Sequence, residues 1–442
     1  MFKLFFRSIL ISSCAIGLAS ASHAAEDLKD QIAKDYGHLE KLYIHLHQNP
    51  ELSFYETETA KRLAAELADL DFDVTEQVGE TGIVGVMKNG DGPTILIRTD
   101  LDALPVPEQT GLPYASTVTA TGVDGTTSPV MHACGHDVHM TVWTGVARQM
   151  AAMKDKWSGT LVMIGQPAEE RGAGARAMLK DGLFERFPKP DYNLALHVNS
   201  ALPAGKIAYS KGYALANVDS VDITVQGIGG HGAYPNTTKD PVVLASQIVV
   251  ALQTLVSREV SPLEPAVVTV GSFHGGAKHN IISNEVKLQL TVRSYSDEVR
   301  QQLLDGIKRI ARGQAISAGL SEDKYPIVTL RNEGTPSTFN TPELVDTVLP
   351  AIANAIGSEN LVEVDPVMGG EDFSEYGRTE DKIPSFIFWL GAVNNQTYAQ
   401  LMKEGKTLPS LHSPFFAPDP KPTITTGVNA MTQAAIHLFN TK

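Results

Sequence analysis

From residue 82 to residue 197 the chain repeats one pattern, a short apolar run, a turn, then a helical stretch, and this rhythm constrains the fold more than any other feature. The apolar runs cover 82–87, 94–98, 160–165 and 193–196, with helical stretches around 139–153 and 173–180. Before them, helices are expected over 27–47 and 57–70. The second carries an apolar stripe at Ala60, Leu63, Ala64 and Leu67. Strands alternating with helices predict an α/β sheet covered on both faces. Such sheets place their sites at the carboxyl ends of strands. Polar motifs stand at those ends: Arg98-Thr99-Asp100-Leu101-Asp102, Gln166-Pro167-Ala168-Glu169-Glu170, and His197.

After residue 213 the rhythm changes. A strand over 218–225 leads to a helix over 241–257, with Asp240 as its cap and Pro241 in its first turn. Strands over 266–272 and 285–294, a helix over 297–318 and a strand over 325–330 follow. The order βαββαβ is the ferredoxin-like arrangement. It predicts a second domain, 214–327, inserted into a first domain made of 25–213 and 328–442. The first resumes with a helix over 342–356, a strand over 383–390 and a final helix over 425–439. Two domains also suit a length of 442 residues, which exceeds one comfortable core.

Three histidines and a cysteine crowd into His132-Ala133-Cys134-Gly135-His136-Asp137-Val138-His139. A thiolate with imidazoles and nearby carboxylates suits zinc, nickel, cobalt or manganese rather than calcium or magnesium. Alone the cluster could be structural. It gains catalytic meaning from groups of the right type downstream: Glu169-Glu170, His197 and His412. A hydrolytic metal centre needs ligands, an open position for water and a base for that water's proton. Adjacent carboxylates point differently, so one of the pair can hold metal while its neighbour stays free as the base. A Glu-Glu pair is more often a solvated surface, but this one stands behind Gln-Pro at the end of an apolar strand.

Lys3 and Arg7 flank a short apolar run over 8–18, and Ser22-His23-Ala24 has the small residues of a cleavage site. Residues 1–24 are therefore expected to be a signal peptide that exports the protein to the periplasm or beyond. The run is shorter than the roughly 20 residues that span a bilayer, so no stable membrane anchor is expected. Cleavage leaves Cys134 as the one cysteine, an unpaired thiol that a metal would protect in an oxidising compartment. The formal charge of −14 argues against a nucleic-acid partner.

These motifs, with Leu46-His47-Gln-Asn-Pro-Glu51, Gly229-Gly-His-Gly-Ala-Tyr-Pro235, Gly369-Gly-Glu-Asp-Phe373 and His412-Ser-Pro414, resemble metallopeptidase family 20. The likeness is to its amidohydrolase subgroup of hippurate, N-acyl-amino-acid and auxin-conjugate hydrolases. The resemblance implies a zinc-exopeptidase-like α/β catalytic domain, an inserted lid domain used for dimerisation, and two divalent ions per subunit. Cys134, His136, Glu170, His197 and His412 resemble the metal ligands, with Cys134 bridging, and Glu169 resembles the general base. His231 resembles a donor to the oxyanion, reaching the partner subunit's site. Asn280 and Arg293 resemble the grip on the substrate carboxylate, and Glu371 or Asp372 could bind its polar part. The wider superfamily has His-x-Asp where this chain has Asp100-x-Asp102. Those two carboxylates are expected either to orient metal-bound groups or to cap and pair with Arg98. The implied reaction is amide hydrolysis of an N-acyl amino acid. A carboxypeptidase or dipeptidase acting on short peptides is the alternative, and a non-catalytic metal or ligand-binding protein a remote one.

Overall fold

The computed structural model describes residues 13–441, with side chains from residue 27 onward. Residues 1–12 of the expected signal peptide, including Lys3 and Arg7, lie outside the described residues. Helices α1 (Ser13–Gln48) and α2 (Thr57–Ala68) lead into strands β1 (Asp73–Val78), β2 (Gly82–Asn89) and β3 (Thr94–Asp100). Helix α3 (His136–Ala152), β4 (Gly159–Gln166), α4 (Gly174–Lys180), β5 (Tyr192–Pro203) and β6 (Ile207–Tyr209) follow. The middle of the chain forms β7 (Asn217–Gln226), α5 (Pro241–Thr254), β8 (Ala266–Gly275), β9 (Glu285–Ser294), α6 (Asp297–Ser317) and β10 (Ile327–Thr335). The last main elements are α7 (Pro342–Ile356), β11 (Leu361–Glu363), β12 (Ser385–Val393) and α8 (Pro420–Asn440).

Eight strands make one mixed sheet in the order β1-β2-β4-β3-β5-β12-β6-β11. Its centre, β4-β3-β5-β12, is parallel. Alternate residues of these strands enter two cores, as a sheet buried on both faces requires. Ile95, Ile97, Leu161, Met163, Leu194 and Leu196 pack with α1, α3, α7 and α8. Leu96, Val162, Ile164 and Ala195 face the other way, towards Met178, Phe373 and Tyr376.

The four middle strands form an antiparallel sheet, β8-β9-β7-β10. Val221, Ile223, Val225, Leu288 and Val292 bury one face of it under α5 and α6, a core of its own. The order is βαββαβ, so the chain is an α/β protein with a ferredoxin-like unit between two parts of a larger one. Asp240 caps α5 by accepting from the amides of Val242 and Val243, ahead of Pro241. Ser296 caps α6 through the amide of Val299.

Several boundaries depart from expectation. Strand β10 runs on to Thr335 because it pairs with β7 as far as Val218, so the smaller sheet extends beyond residue 327. Strand β5 continues to Pro203 alongside β12, which puts His197 within a strand, opposite Trp389, rather than after one. Strand β1 has no apolar alternation, and its largely exposed, polar residues hid it.

Candidate metal centre

Four separate segments deliver the proposed ligands to one place. Cys134 and His136 flank Gly135, which caps α3 in the left-handed region at φ +79°. A Cβ on Gly135 would stand 2.6 Å from the Val198 side chain, so glycine lets the start of α3 approach β5. Glu169 and Glu170 lie on a single 3-10 turn after β4. His197 belongs to β5. His412 sits on the loop before α8, its amide bonded to the Ala133 carbonyl at 2.9 Å.

The donor atoms converge. Cys134 Sγ lies 3.5 Å from His197 Nε2 and 3.3 Å from His412 Nε2. His412 Nε2 is 3.5 Å from Glu170 Oε1. His136 Nε2 is 3.8 Å from Glu169 and 3.9 Å from Glu170. Cys134-His136-His197, Cys134-Glu170-His412 and His136-Glu169-Glu170 each bring three donor atoms within 4.8 Å of one another. Two of these sets share Cys134.

Three observations show that divalent cations fit here. First, His136 Nδ1 donates to the Asp102 carbonyl and His197 Nδ1 to the Val198 carbonyl, each at 2.8 Å. That tautomer leaves both Nε2 lone pairs facing the cluster, the arrangement of ligating histidines. Second, His136 Nε2 and Glu170 Oε1 are buried with no hydrogen-bond partner. Third, negative charge is crowded. Burial and the carboxylates of Glu170, Glu169 and Asp100 push the Cys134 thiol up. Burial, then Glu371, Glu170 and Asp372, raise Glu169, and burial carries Glu170 to about 7. Cations would relieve that repulsion and hold the thiolate.

Around the donors is a second ring of contacts. Asp100 pairs with Arg98 at 2.7 Å and with His139 Nδ1 at 2.7 Å. His139 Nε2 accepts from the Val198 amide at 2.9 Å, so neither ring nitrogen is free for metal. Burial holds that ring neutral, with its pKa down at about 3. Asp102 accepts from Ser53 Oγ at 2.6 Å and from the amides of Glu169 and Glu170 at 3.1 Å each. It therefore holds the turn that carries both glutamates.

Glu371 and Asp372, expected to bind the polar part of a substrate, are engaged elsewhere and do not line the cavity beside the donors. Both are buried against Arg98, at 2.8 and 3.1 Å, and Asp372 also takes the Gln166 side chain and the Ala175 amide. Desolvating a guanidinium demands such partners, and a single Arg98 serves three carboxylates. Another buried ionic group has no signature in the sequence: His47 lies between Asp137 (2.6 Å) and Glu108 (3.1 Å). It ties the end of α1 to the first turn of α3, beside His136. His47 was visible in a motif, but its partners are 90 and 61 residues away.

Cys134, Glu169, Glu170, His197 and His412 open onto a cavity of about 630 Å³. Its walls include Leu215, Val367, Trp389 and Leu411, with Val218, Ser220 and Arg293 from the smaller sheet. Arg293 is half-buried and donates to the Met368 carbonyl at 2.8 Å. Burial lowers its pKa. His231 and Asn280 are neighbours, since the Gly232 amide bonds the Asn280 carbonyl at 2.9 Å. Both are exposed, and neither lines this cavity. Within one chain, the structure brings Arg293 to the cluster but not His231 or Asn280.

Comparison with known proteins agrees with this geometry. The chain is 39% identical to the hippurate hydrolase of Campylobacter jejuni over 340 residues, 76% of this chain and 84% of that protein. It is 35% identical to thermostable carboxypeptidase 2 of Saccharolobus solfataricus over 384 residues, 84% of this chain and 91% of that one. A dinuclear metal-binding peptidase of the M20 family from Bacillus subtilis superposes with a TM-score of 0.75 at 29% identity, covering 93% of this chain and 99% of its own. The model of peptidase family M20/M25/M40 matches residues 96–412, a stretch that holds every donor described above. The chain belongs to that family, in its amidohydrolase subgroup, and is a metal-dependent hydrolase of amide bonds.

Proposed function

We propose that the protein hydrolyses N-acyl amino acids of the hippurate type, with Glu169 as general base and Cys134, His136, Glu170, His197 and His412 as ligands of two divalent ions. The observation that carries this reading is the convergence of those five donors beside one carboxyl, Glu169, that shares their cavity. Bound there, the cations supply Lewis acidity and lower the pKa of a water to around 7. Glu169 takes the water's proton and returns it to the leaving nitrogen. Arg293 presents a planar fork to the substrate carboxylate, and the apolar wall at Leu215, Val218 and Trp389 receives the acyl group. Apoprotein reloaded with zinc, manganese, nickel or cobalt should cleave benzoylglycine, and a chelator should stop it. Turnover of benzoylglycine by metal-free protein would overturn the reading.

The likeness to thermostable carboxypeptidase 2 favours a second reading, cleavage of short peptides by the same groups. Competition between dipeptides and benzoylglycine separates the two. His231 and Asn280 reach a cavity only from a second copy, in a homodimer made through the smaller unit. The outward face of α5 supports this, with Val243 and Val250 53% and 72% exposed. Export rests on residues 1–24, removed after Ala24. The mass of the mature protein from a secreting host tests it.

A further inference from the structure

Glu56 is fully buried and stands directly before α2, far in sequence from the donors. Its Oε1 accepts from the Ala168 amide at 2.8 Å, and its Oε2 bonds the Thr81 hydroxyl at 2.5 Å. Ala168 sits at φ +48°, in the left-handed region that an L residue avoids unless held there. The next two amides, of Glu169 and Glu170, are held by Asp102. Two carboxyl groups thus fix three successive amides of the turn that carries both glutamates. The arrangement is an expensive one. Burial, with Asp102 repelling it, pushes the Glu56 carboxyl up to about 8. A chain that needed only a stable turn could use a glycine at 168 and an apolar side chain at 56.

We propose that Glu56 is a positioning residue for the reaction: by holding the Ala168 amide it locks the left-handed residue that aims the Glu169 carboxyl into the cavity. The inference rests on Glu169 being the general base. The Asp102 bonds to the amides of Glu169 and Glu170 do not involve Glu56, and the Glu170 carboxyl stands among Cys134, His136 and His412, so metal binding is expected to survive the loss of Glu56. Loss of Glu56 therefore separates proton transfer from metal binding. At neutral pH the buried acid is mostly uncharged, and glutamine offers the same carbonyl oxygen to Ala168.

The test measures kcat and KM on benzoylglycine, metal content and Tm for metal-loaded Glu56→Ala, Glu56→Gln and Asn429→Ala. Asn429 is a buried residue that bonds the Ala355 carbonyl and lies outside the site, so its loss is a control for destabilisation alone. Glu56→Ala is expected to lower kcat about tenfold or more, with KM within about twofold and metal content unchanged, the signature of a misplaced reacting group. Glu56→Gln should recover kcat to within about threefold of wild type, and Asn429→Ala should lower Tm and keep kcat. Wild-type kcat in Glu56→Ala, a glutamine variant as slow as the alanine one, or an equal loss in Asn429→Ala overturns the proposal. If Glu56→Ala does not fold, Glu56→Asp, whose shorter side chain withdraws the oxygen from the Ala168 amide, must still lower kcat without moving KM. An unchanged kcat there is equally fatal. Glu169→Gln completes the set. If it turns over normally, the reading of the base fails; if it is inactive while Glu56→Ala is not, only the role of Glu56 fails.

Discussion

Glu169 and His136 approach to 3.8 Å, yet their replacement should have different consequences for metal binding. Glu169→Ala is expected to keep its metal and lose about a thousandfold in kcat, within the range of a missing general base. His136→Ala should lose both metal and activity, since its Nε2 belongs to two of the three donor sets. Metal analysis of the two purified variants beside their rates decides the matter, and a Glu169→Ala enzyme near wild-type speed would refute the mechanism. A different residue sets a pH limit on stability. Burial disfavours charge on His47, but hydrogen bonds to Asp137 and Glu108 outweigh it and hold its pKa at about 10. A histidine whose folded pKa lies above its ordinary value of about 6.5 contributes stability in full below that value and loses it as pH rises towards 10. Tm should fall from pH 7 to 10, and His47→Gln should flatten that slope. The sequence disclosed the types and order of such residues well. It could not disclose all their partners: Arg98 reads as an ion-pair partner of Asp100 or Asp102, and only the fold reveals Glu371 and Asp372 against it.

Among elements, the close approach of α3 to β5 and of α4 to the turn before it matters most. Gly135→Ala must place a methyl 2.6 Å from Val198 and put alanine at φ +79°. A loss of about 2 kcal/mol or more in stability is expected, with weaker metal binding because Cys134 and His136 flank the site. Gly174→Ala is tighter still, its Cβ 1.5 Å from the Pro167 carbonyl, and should displace the Glu169-Glu170 turn. Urea unfolding and metal titration of both variants check this, and wild-type values for either would show that the backbone moves freely there. Helices and central strands were legible because burial marks them, α2 by an apolar stripe and β3 by an apolar run buried on both faces. Edges were not. Strand β1 is polar, and the end of β10 is set by its pairing with β7, which no local pattern encodes. The cap of α5 was legible for the opposite reason, because Asp240 acts within three residues of itself.

For the whole molecule, metal loading and stability should be interdependent, because donors from four segments meet at one cavity. A ligand that binds only the folded state adds about 2.7 kcal/mol when present at a hundred times its Kd. Calorimetry with and without chelator should therefore show a lower Tm for the apoprotein, and an unchanged Tm would mean that the donors hold no ion. Arg293 reaches the cavity from β9, while the metal donors all come from the larger unit, so Arg293→Ala should raise KM for carboxylate substrates about tenfold or more and leave metal content alone. The sequence indicated this division through its change of rhythm after residue 213. His231 and Asn280, also on the smaller unit, stay outside that cavity within one chain.

His412 comes from the loop just ahead of α8, and that helix packs in the same core as α1 and α3. The proposed donor at 412 is thus the last of its set to be synthesised, and its place depends on the docking of that helix. A chain cut anywhere before residue 412 keeps the other proposed donors without the full set, and is expected to hydrolyse no amide.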